Sequence, residues 1–131
     1  MHRPAIDALE TVRYEAPEAR IARIVLDRAD RANAQNRQLL YELNAALDHA
    51  AADDDVRVII VAAEGKHFSS GHDLSGADDW SLEDVGVGTW GGFDQPGMEG
   101  HWAGEEEAYF GLCWRWRNIP KPTIAEVQGK V

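Results

Sequence analysis

The sequence predicts an α/β domain, and three observations carry that expectation. Two short runs of alternating apolar residues flank a proline-containing turn, a long amphipathic helical stretch follows, and Val56 to Ala63 is β-branched and apolar on both faces. A helix of this length between strands suits a crossover connection that leaves the two strands parallel. A strand apolar on both faces suits a sheet covered by helices.

Each element has its own local reason. Leu9 to Tyr14 and Ile21 to Asp27 read as strands: Ala22, Ile24 and Leu26 alternate with Arg23, Val25 and Asp27. Residues 15–20 form a polar turn containing Pro17, so a hairpin is expected. Residues 28–36 form a polar loop in which Asn33 or Asn36 is placed to cap the next helix. Leu39, Leu40, Leu43, Ala46, Leu47 and Ala50 recur at helical spacing to about Ala52, and Asp53-Asp54-Asp55 ends the helix. The strand Val56 to Ala63 runs through Glu64-Gly65 into the small-residue turn Lys66 to Leu74.

Ser75 to Gly104 holds eight of the twelve glycines, together with Trp80, Trp90, Phe93 and Trp102. Glycine makes ordering costly while the rings offer burial. A long loop is expected, with one helical turn after Ser81, acting as a lid or as a surface packing loop. Glu105 to Arg117 reads as a helix, with glutamates at its start and Arg115 and Arg117 at its end to complement the dipole. Tyr109, Leu112, Cys113 and Trp116 share its expected core face. Ile119-Pro120-Lys121-Pro122 stops it, and Thr123 to Val127 begins another strand. No repeat or linker divides the 131 residues, so one domain is expected, with a Gly/Trp-rich acidic insert at about 76–104.

Composition narrows the function. The chain is 44% apolar and 27% charged, as in a soluble globular protein. No apolar run approaches the roughly 20 residues that span a bilayer, and the N-terminus lacks an apolar signal core. A cytoplasmic protein is the expectation. Cys113, the single cysteine, excludes an internal disulfide. A net charge of −10 disfavours nucleic acid and anionic membranes as partners. From His67 to Trp114 there is no Lys or Arg. A polyanionic ligand must therefore place its phosphates elsewhere, on Arg28, Arg31, Lys66, Lys121 or Lys130.

The chemistry is expected at the turn after the apolar strand. A buried strand running into small residues leaves backbone N–H groups open, and such groups can hold a developing negative charge. A phosphate-binding loop is absent, as is a GxSxG nucleophile elbow. The histidines have no metal-ligand spacing, so no metal is expected. Ser69 and Ser70 are read as small turn residues rather than nucleophiles, and His72-Asp73 is a possible pair.

Set in chain order, these pieces resemble the enoyl-CoA hydratase/isomerase (crotonase) superfamily. Ile24-Val25-Leu26-Asp27-Arg28 followed by Ala32-Asn33-Ala34-Gln35-Asn36 is similar to its first strand and the loop into its first helix. Val56 to Val61 with Lys66 to Leu74 is similar to its third strand and first oxyanion turn, and Ile119 to Ala125 to the run into its next strand. The resemblance implies a crotonase-like β-β-α spiral (the ClpP/crotonase fold), incomplete at the C-terminus. It implies that the N–H of Ser70 is one of two donors to a thioester oxygen, with Gly71 allowing close approach and Asp73 tying down the turn. Ala32 and Ala34, with Ser69, Ser70, Gly71, His72, Asp73 and Leu74, would cradle coenzyme A, and Lys66 would meet a phosphate. Coenzyme A arrives as part of the acyl-CoA substrate, so no separate cofactor is implied. Hydration of a 2-enoyl-CoA is the modal activity, with isomerisation, dehalogenation and thioester hydrolysis as further family chemistries. Homotrimers or homohexamers are implied.

The resemblance also marks departures. The family's core continues beyond this point, its second oxyanion donor follows the strand that ends here, and its acid/base carboxylates come later still. The 131 residues alone are therefore expected to lack hydratase turnover. A rival reading is a non-catalytic assembly subunit whose last strand pairs with a partner chain. A nucleotide-binding α/β domain is disfavoured by the missing phosphate loop.

Overall fold

A computed structural model describes residues 3–76 and 80–131. Asp78 and Asp79, part of the acidic span, lie outside the described residues. Four strands form one mixed sheet in the order β1-β2-β3-β4: β1 (Val12–Glu18), β2 (Ile21–Leu26), β3 (Val58–Ala63) and β4 (Thr123–Ala125). β1 and β2 make the expected antiparallel hairpin, while β2–β3 and β3–β4 are parallel. The crossover between β2 and β3 is α1 (Arg37–Ala52), capped by Asn36, whose side chain accepts from the Leu39 N–H at 3.0 Å.

The first strand begins and ends later than its sequence pattern suggests. Buried Glu42 of α1 explains the start: its carboxylate accepts from the N–H groups of Glu10 and Thr11 at 3.0 and 2.7 Å and from the Thr11 hydroxyl at 2.8 Å. Those donors are taken from the ladder, which opens at Val12. At the other end β1 runs through Pro17, because the register shifts between Glu15 and Glu18 and the strand lies at the sheet edge. An edge bulge tolerates a residue without an N–H.

α1 is buried on two sides. Leu39, Leu43, Ala46, Leu47 and Ala50 pack with Val12, Ala22, Ile24, Leu26 and Ile59 from the sheet and with Val56 just before β3. Leu40 and Tyr41 pack on the other side with Leu82, Val85, Ala108 and Leu112. The glycine-rich insert therefore supplies core. Its one helical turn, α2 (Leu82–Val85), follows Ser81 as expected, and the Ser81 hydroxyl caps it.

The last helix corrects its expected start. It begins at Met98 rather than Glu105, as α3 (Met98–Glu105), passes through a π-helical segment at Glu106–Gly111 and ends as α4 (Leu112–Arg117). Gly100 is compatible because a Cβ there would stand 2.1 Å from the Gln95 carbonyl, so close packing overrides the helix penalty of glycine. The three glutamates thus lie inside the helix rather than at its dipole end. The π turn also shifts the face: Leu112 is fully buried and Trp116 packs against both clusters, but Cys113 is exposed.

Candidate active site

The turn after β3 is held from two sides. On one side stands the loop 28–36, where Ala32 and Asn33 adopt the left-handed conformation at φ 50° and 53°. Asn33 is fully buried. Its Oδ1 accepts from the Arg28 N–H at 2.8 Å, and its Nδ2 donates to the carbonyls of Glu64 and His67 at 2.9 and 3.0 Å. The Asn33 carbonyl accepts from the Ser69 hydroxyl at 3.0 Å. Asn33 is a clasp between loop and turn, and Asn36 alone is the helix cap.

On the other side lies the segment after β4. The Phe68 N–H donates to the Gln128 carbonyl at 2.8 Å, the Ser69 N–H donates to the Lys130 carbonyl at 3.2 Å, and the Lys130 N–H donates to His67 Nδ1 at 3.1 Å. Gly129 sits at φ 60°, and a Cβ there would lie 2.2 Å from the Lys66 carbonyl, so glycine is required by both conformation and space.

This packing decides which backbone donors of the turn remain open. The Ser70 N–H, the expected donor, donates to the Ala32 carbonyl at 2.9 Å. The Gly71 N–H donates to the Ser69 hydroxyl at 3.1 Å. Gln35 then pairs across His72 like a neighbouring parallel strand: its N–H donates to the Gly71 carbonyl at 2.8 Å and its carbonyl accepts from the Asp73 N–H at 3.0 Å. By that alternation the His72 N–H points away from Gln35. Among the described residues it has no hydrogen-bond acceptor. Gly71 takes φ 91°, yet a Cβ there would meet nothing within 4 Å, so its glycine answers to the backbone angle rather than to crowding.

Asp73 stitches the turn to the loop. One oxygen accepts from Arg28 Nη1 at 2.7 Å and the other from the Ser75 N–H at 2.9 Å. Arg28 Nη1 also donates to the Ala34 carbonyl at 2.8 Å. Hydrogen bonds from Ser75, then the Arg28 guanidinium, hold the Asp73 carboxyl well below the usual carboxylate range. A depressed acid stabilises the fold above its unfolded pKa of about 3.9, and the contribution is lost as pH falls below that value. Asp73→Asn is therefore expected to cost about 1.5–3 kcal/mol at pH 7. In urea unfolding the gap between wild type and variant should narrow steadily below about pH 4; a gap independent of pH would contradict the assignment.

A cleft of about 500 Å³ opens beside the turn. Its lining joins His72, Asp73 and Gly76 to Asn36 and Arg37 at the start of α1, to Ser81, Leu82 and Glu83 at α2, and to Phe93 and Asp94. The last helix contributes His101, Gly104, Glu105, Ala108 and Tyr109. The His72 and Tyr109 rings touch in a tilted arrangement, with centroids 4.4 Å apart and planes at 49°. Of the residues expected from sequence, His72 and Asp73 therefore reach the cleft. Ser69 is buried with its hydroxyl committed, while Lys66, Ser70 and Leu74 are exposed outside the cleft lining. Ala32 and Ala34 act through carbonyls already bonded to the Ser70 N–H and to Arg28. His101 and Gly104 were missed because the helix was expected to begin at Glu105 rather than Met98, while Glu105 and Tyr109 lay inside the expected helix and were read as dipole charge and core face. The spacing of His101, Gly104, Glu105, Ala108 and Tyr109 is the signal that an earlier start would have exposed.

The insert wall of this cleft hangs on one buried carboxylate. Glu107, 1% exposed, accepts from the N–H groups of Val87, Gly88 and Thr89 and from the Tyr41 hydroxyl at 2.8 Å. Burial, then Glu107, pushes the Tyr41 phenol up from its ordinary range.

An antiparallel hairpin, a crossover helix and two parallel pairings, followed by a cleft-lining turn, define an α/β fold of the crotonase type. The family model for enoyl-CoA hydratase/isomerase matches residues 16–87, and the chain belongs to that family. It is 44% identical to EchA13 of Mycobacterium tuberculosis, whose name assigns it to the enoyl-CoA hydratases, over 93% of this chain and 40% of the relative. Among solved structures, a probable enoyl-CoA hydratase from Mycobacterium thermoresistibile is 46% identical with a TM-score of 0.69, covering 90% of this chain and 41% of that one. An enoyl-CoA hydratase from Shewanella pealeana is 26% identical with a TM-score of 0.72, covering 95% and 41%. The chain thus spans about two fifths of the length of the relatives it matches.

Proposed function

We propose that this chain forms the acyl-CoA-binding part of a crotonase-type enzyme, and that the reaction is hydration of a 2-enoyl-CoA. The observation that carries this reading is the uncommitted N–H of His72 on a residue lining the cleft. In hydration, water oxygen bonds to C3, the C2=C3 electrons shift toward the thioester, and negative charge gathers on its oxygen. A fixed backbone N–H stabilises that charge without having to reorganise. Because the Ser70 N–H is bonded to Ala32, the donor role moves two residues along, and Ser70 instead helps hold the turn.

Lys66 remains the proposed phosphate contact, joined by Lys130, whose backbone lies against the same turn. Arg28 and Lys121 are less suited: Arg28 is paired with Asp73, and Lys121 Nζ donates to the carbonyls of Ala50 and Asp53. The acidic lining keeps phosphates out of the cleft and leaves it for the acyl group.

One donor of two and an incomplete acid/base set predict binding without turnover. The purified 131-residue chain should bind butanoyl-CoA by calorimetry and give no hydration of crotonyl-CoA. Absence of binding would remove the reading; measurable hydration would show that the chain is catalytically sufficient.

A second reading, an assembly subunit, is favoured by the exposed Trp102, Phe110 and Trp114 on the last helix and by Ile124 and Val127 near β4. Light scattering separates the two: a stable folded monomer counts against the subunit reading, and a trimer or hexamer agrees with the family expectation.

A further inference from the structure

The His72 N–H keeps its aim only if the backbone of the turn keeps its direction. Little in the turn itself enforces that. A single isolated bridge to Gln35 holds it, and beside that bridge Gly71 stands in open space, where an added Cβ would meet nothing within 4 Å. Leu74 and Ser75, just beyond, are exposed. One side chain from another element touches both halves of the bridge. The Tyr109 ring lies against the His72 imidazole, with centroids 4.4 Å apart and planes at 49°. Its hydroxyl donates to the Gln35 carbonyl at 3.4 Å, the same carbonyl that accepts from the Asp73 N–H at 3.0 Å.

Tyr109 is itself firmly placed. Half-buried, it packs against the apolar cluster that contains Leu40, Tyr41, Leu82 and Leu112. It belongs to the π-helical segment, two residues after Glu107, whose carboxylate holds the insert. Irregular turns of this kind recur at functional sites. This one carries Tyr109 on the cleft lining while Leu112 stays fully buried. A tyrosine ring turns about only two side-chain torsions, so it passes the rigidity of the helix on to whatever it touches.

We propose that Tyr109 is a positioning residue, its ring bracing the Gln35–His72 bridge so that the His72 N–H stays aimed at a thioester oxygen in the cleft. This inference rests on the acyl-CoA reading above. Tyr109 exchanges no proton with the substrate; it acts through His72. A donor aimed in advance needs no reorganisation when charge gathers on the oxygen. A hydrogen bond also weakens steeply once its donor is misaligned, so a slack bridge would cost the contact with the carbonyl.

The test uses two probes that differ only at that carbonyl: butanoyl-CoA, and S-butyl-coenzyme A, in which CH2 replaces C=O. Their affinity ratio, measured by calorimetry, separates the backbone donor from contacts made by the acyl chain. The 131-residue chain should prefer the thioester by about tenfold. Tyr109→Leu should bring the ratio close to one. Tyr109→Phe, which keeps the ring, should restore the preference, and Glu106→Gln, an exposed neighbour outside the cleft lining, should match wild type. A loss of affinity shared equally by both probes, with the ratio unchanged, would mean that Tyr109 only shapes the cleft, and overturns the proposal. A preference lost in Tyr109→Phe as fully as in Tyr109→Leu overturns it too. Tyr109→Met is a second ring-free variant should Tyr109→Leu not fold; if neither folds, Tyr109 is a core residue and the proposal falls. Wild type that binds both probes equally removes the His72 donor, and with it this inference. Wild type that binds neither probe removes the acyl-CoA reading itself.

Discussion

Asn33→Ala should destabilise the chain by about 3–5 kcal/mol and abolish acyl-CoA binding. The substitution removes three hydrogen bonds from a fully buried site and leaves the Arg28 N–H and the carbonyls of Glu64 and His67 without partners. Each unpaired group costs about 1–3 kcal/mol, reduced where water can enter. Alanine at φ 53° adds roughly 1 kcal/mol of backbone strain. The functional loss follows from the same bonds: without the clasp, the turn no longer presents His72 to the cleft. Asn33→Asp gives an independent check. It keeps an acceptor for Arg28 but turns oxygen toward two carbonyls, so it should be nearly as damaging. Urea unfolding checks both variants; a loss below 1 kcal/mol for alanine would show that the loop and turn are held by other means.

Glu107→Ala should act on the insert rather than on the sheet. It leaves four donors unpaired, from Val87, Gly88, Thr89 and Tyr41, and is expected to cost about 3–5 kcal/mol. Leu82 and Val85 are buried against α1 through the insert, so its release exposes the second apolar cluster. Hydrogen exchange is the direct readout. The amides of Val87, Gly88 and Thr89 should lose their protection while those of β2 and β3 keep theirs. Uniform loss across the chain would mean that the insert and the sheet unfold as one unit.

The fold was legible wherever local pattern and tertiary demand agree. The spacing of Leu39, Leu40, Leu43, Ala46, Leu47 and Ala50 marks α1, and the run from Val58 to Ala63 marks a buried parallel strand. It was not legible where a distant contact decides. Asn33 and Asn36 look alike as caps; only the carbonyls of Glu64 and His67, 31 and 34 residues away, separate clasp from cap. Glu10 and Thr11 look like strand until Glu42 takes their N–H groups. Gly97, Gly100 and Gly104 read as loop, although Gly100 serves helix packing against Gln95.

The candidate site divides along the same line. The turn was recognisable from its small residues following an apolar strand. Which of its N–H groups stays open depends on Gln35 pairing across His72 and on the Ala32 carbonyl meeting Ser70, and neither pairing is written in the turn itself.

The most direct measurement is a nitrogen–proton correlation spectrum of the 131-residue chain titrated with butanoyl-CoA. The account predicts a saturable downfield shift of the His72 amide proton as it donates to the thioester oxygen, with the Ser70 amide unmoved on its Ala32 acceptor. A downfield shift at Ser70 with His72 unchanged, or bound butanoyl-CoA that moves neither amide, would contradict it.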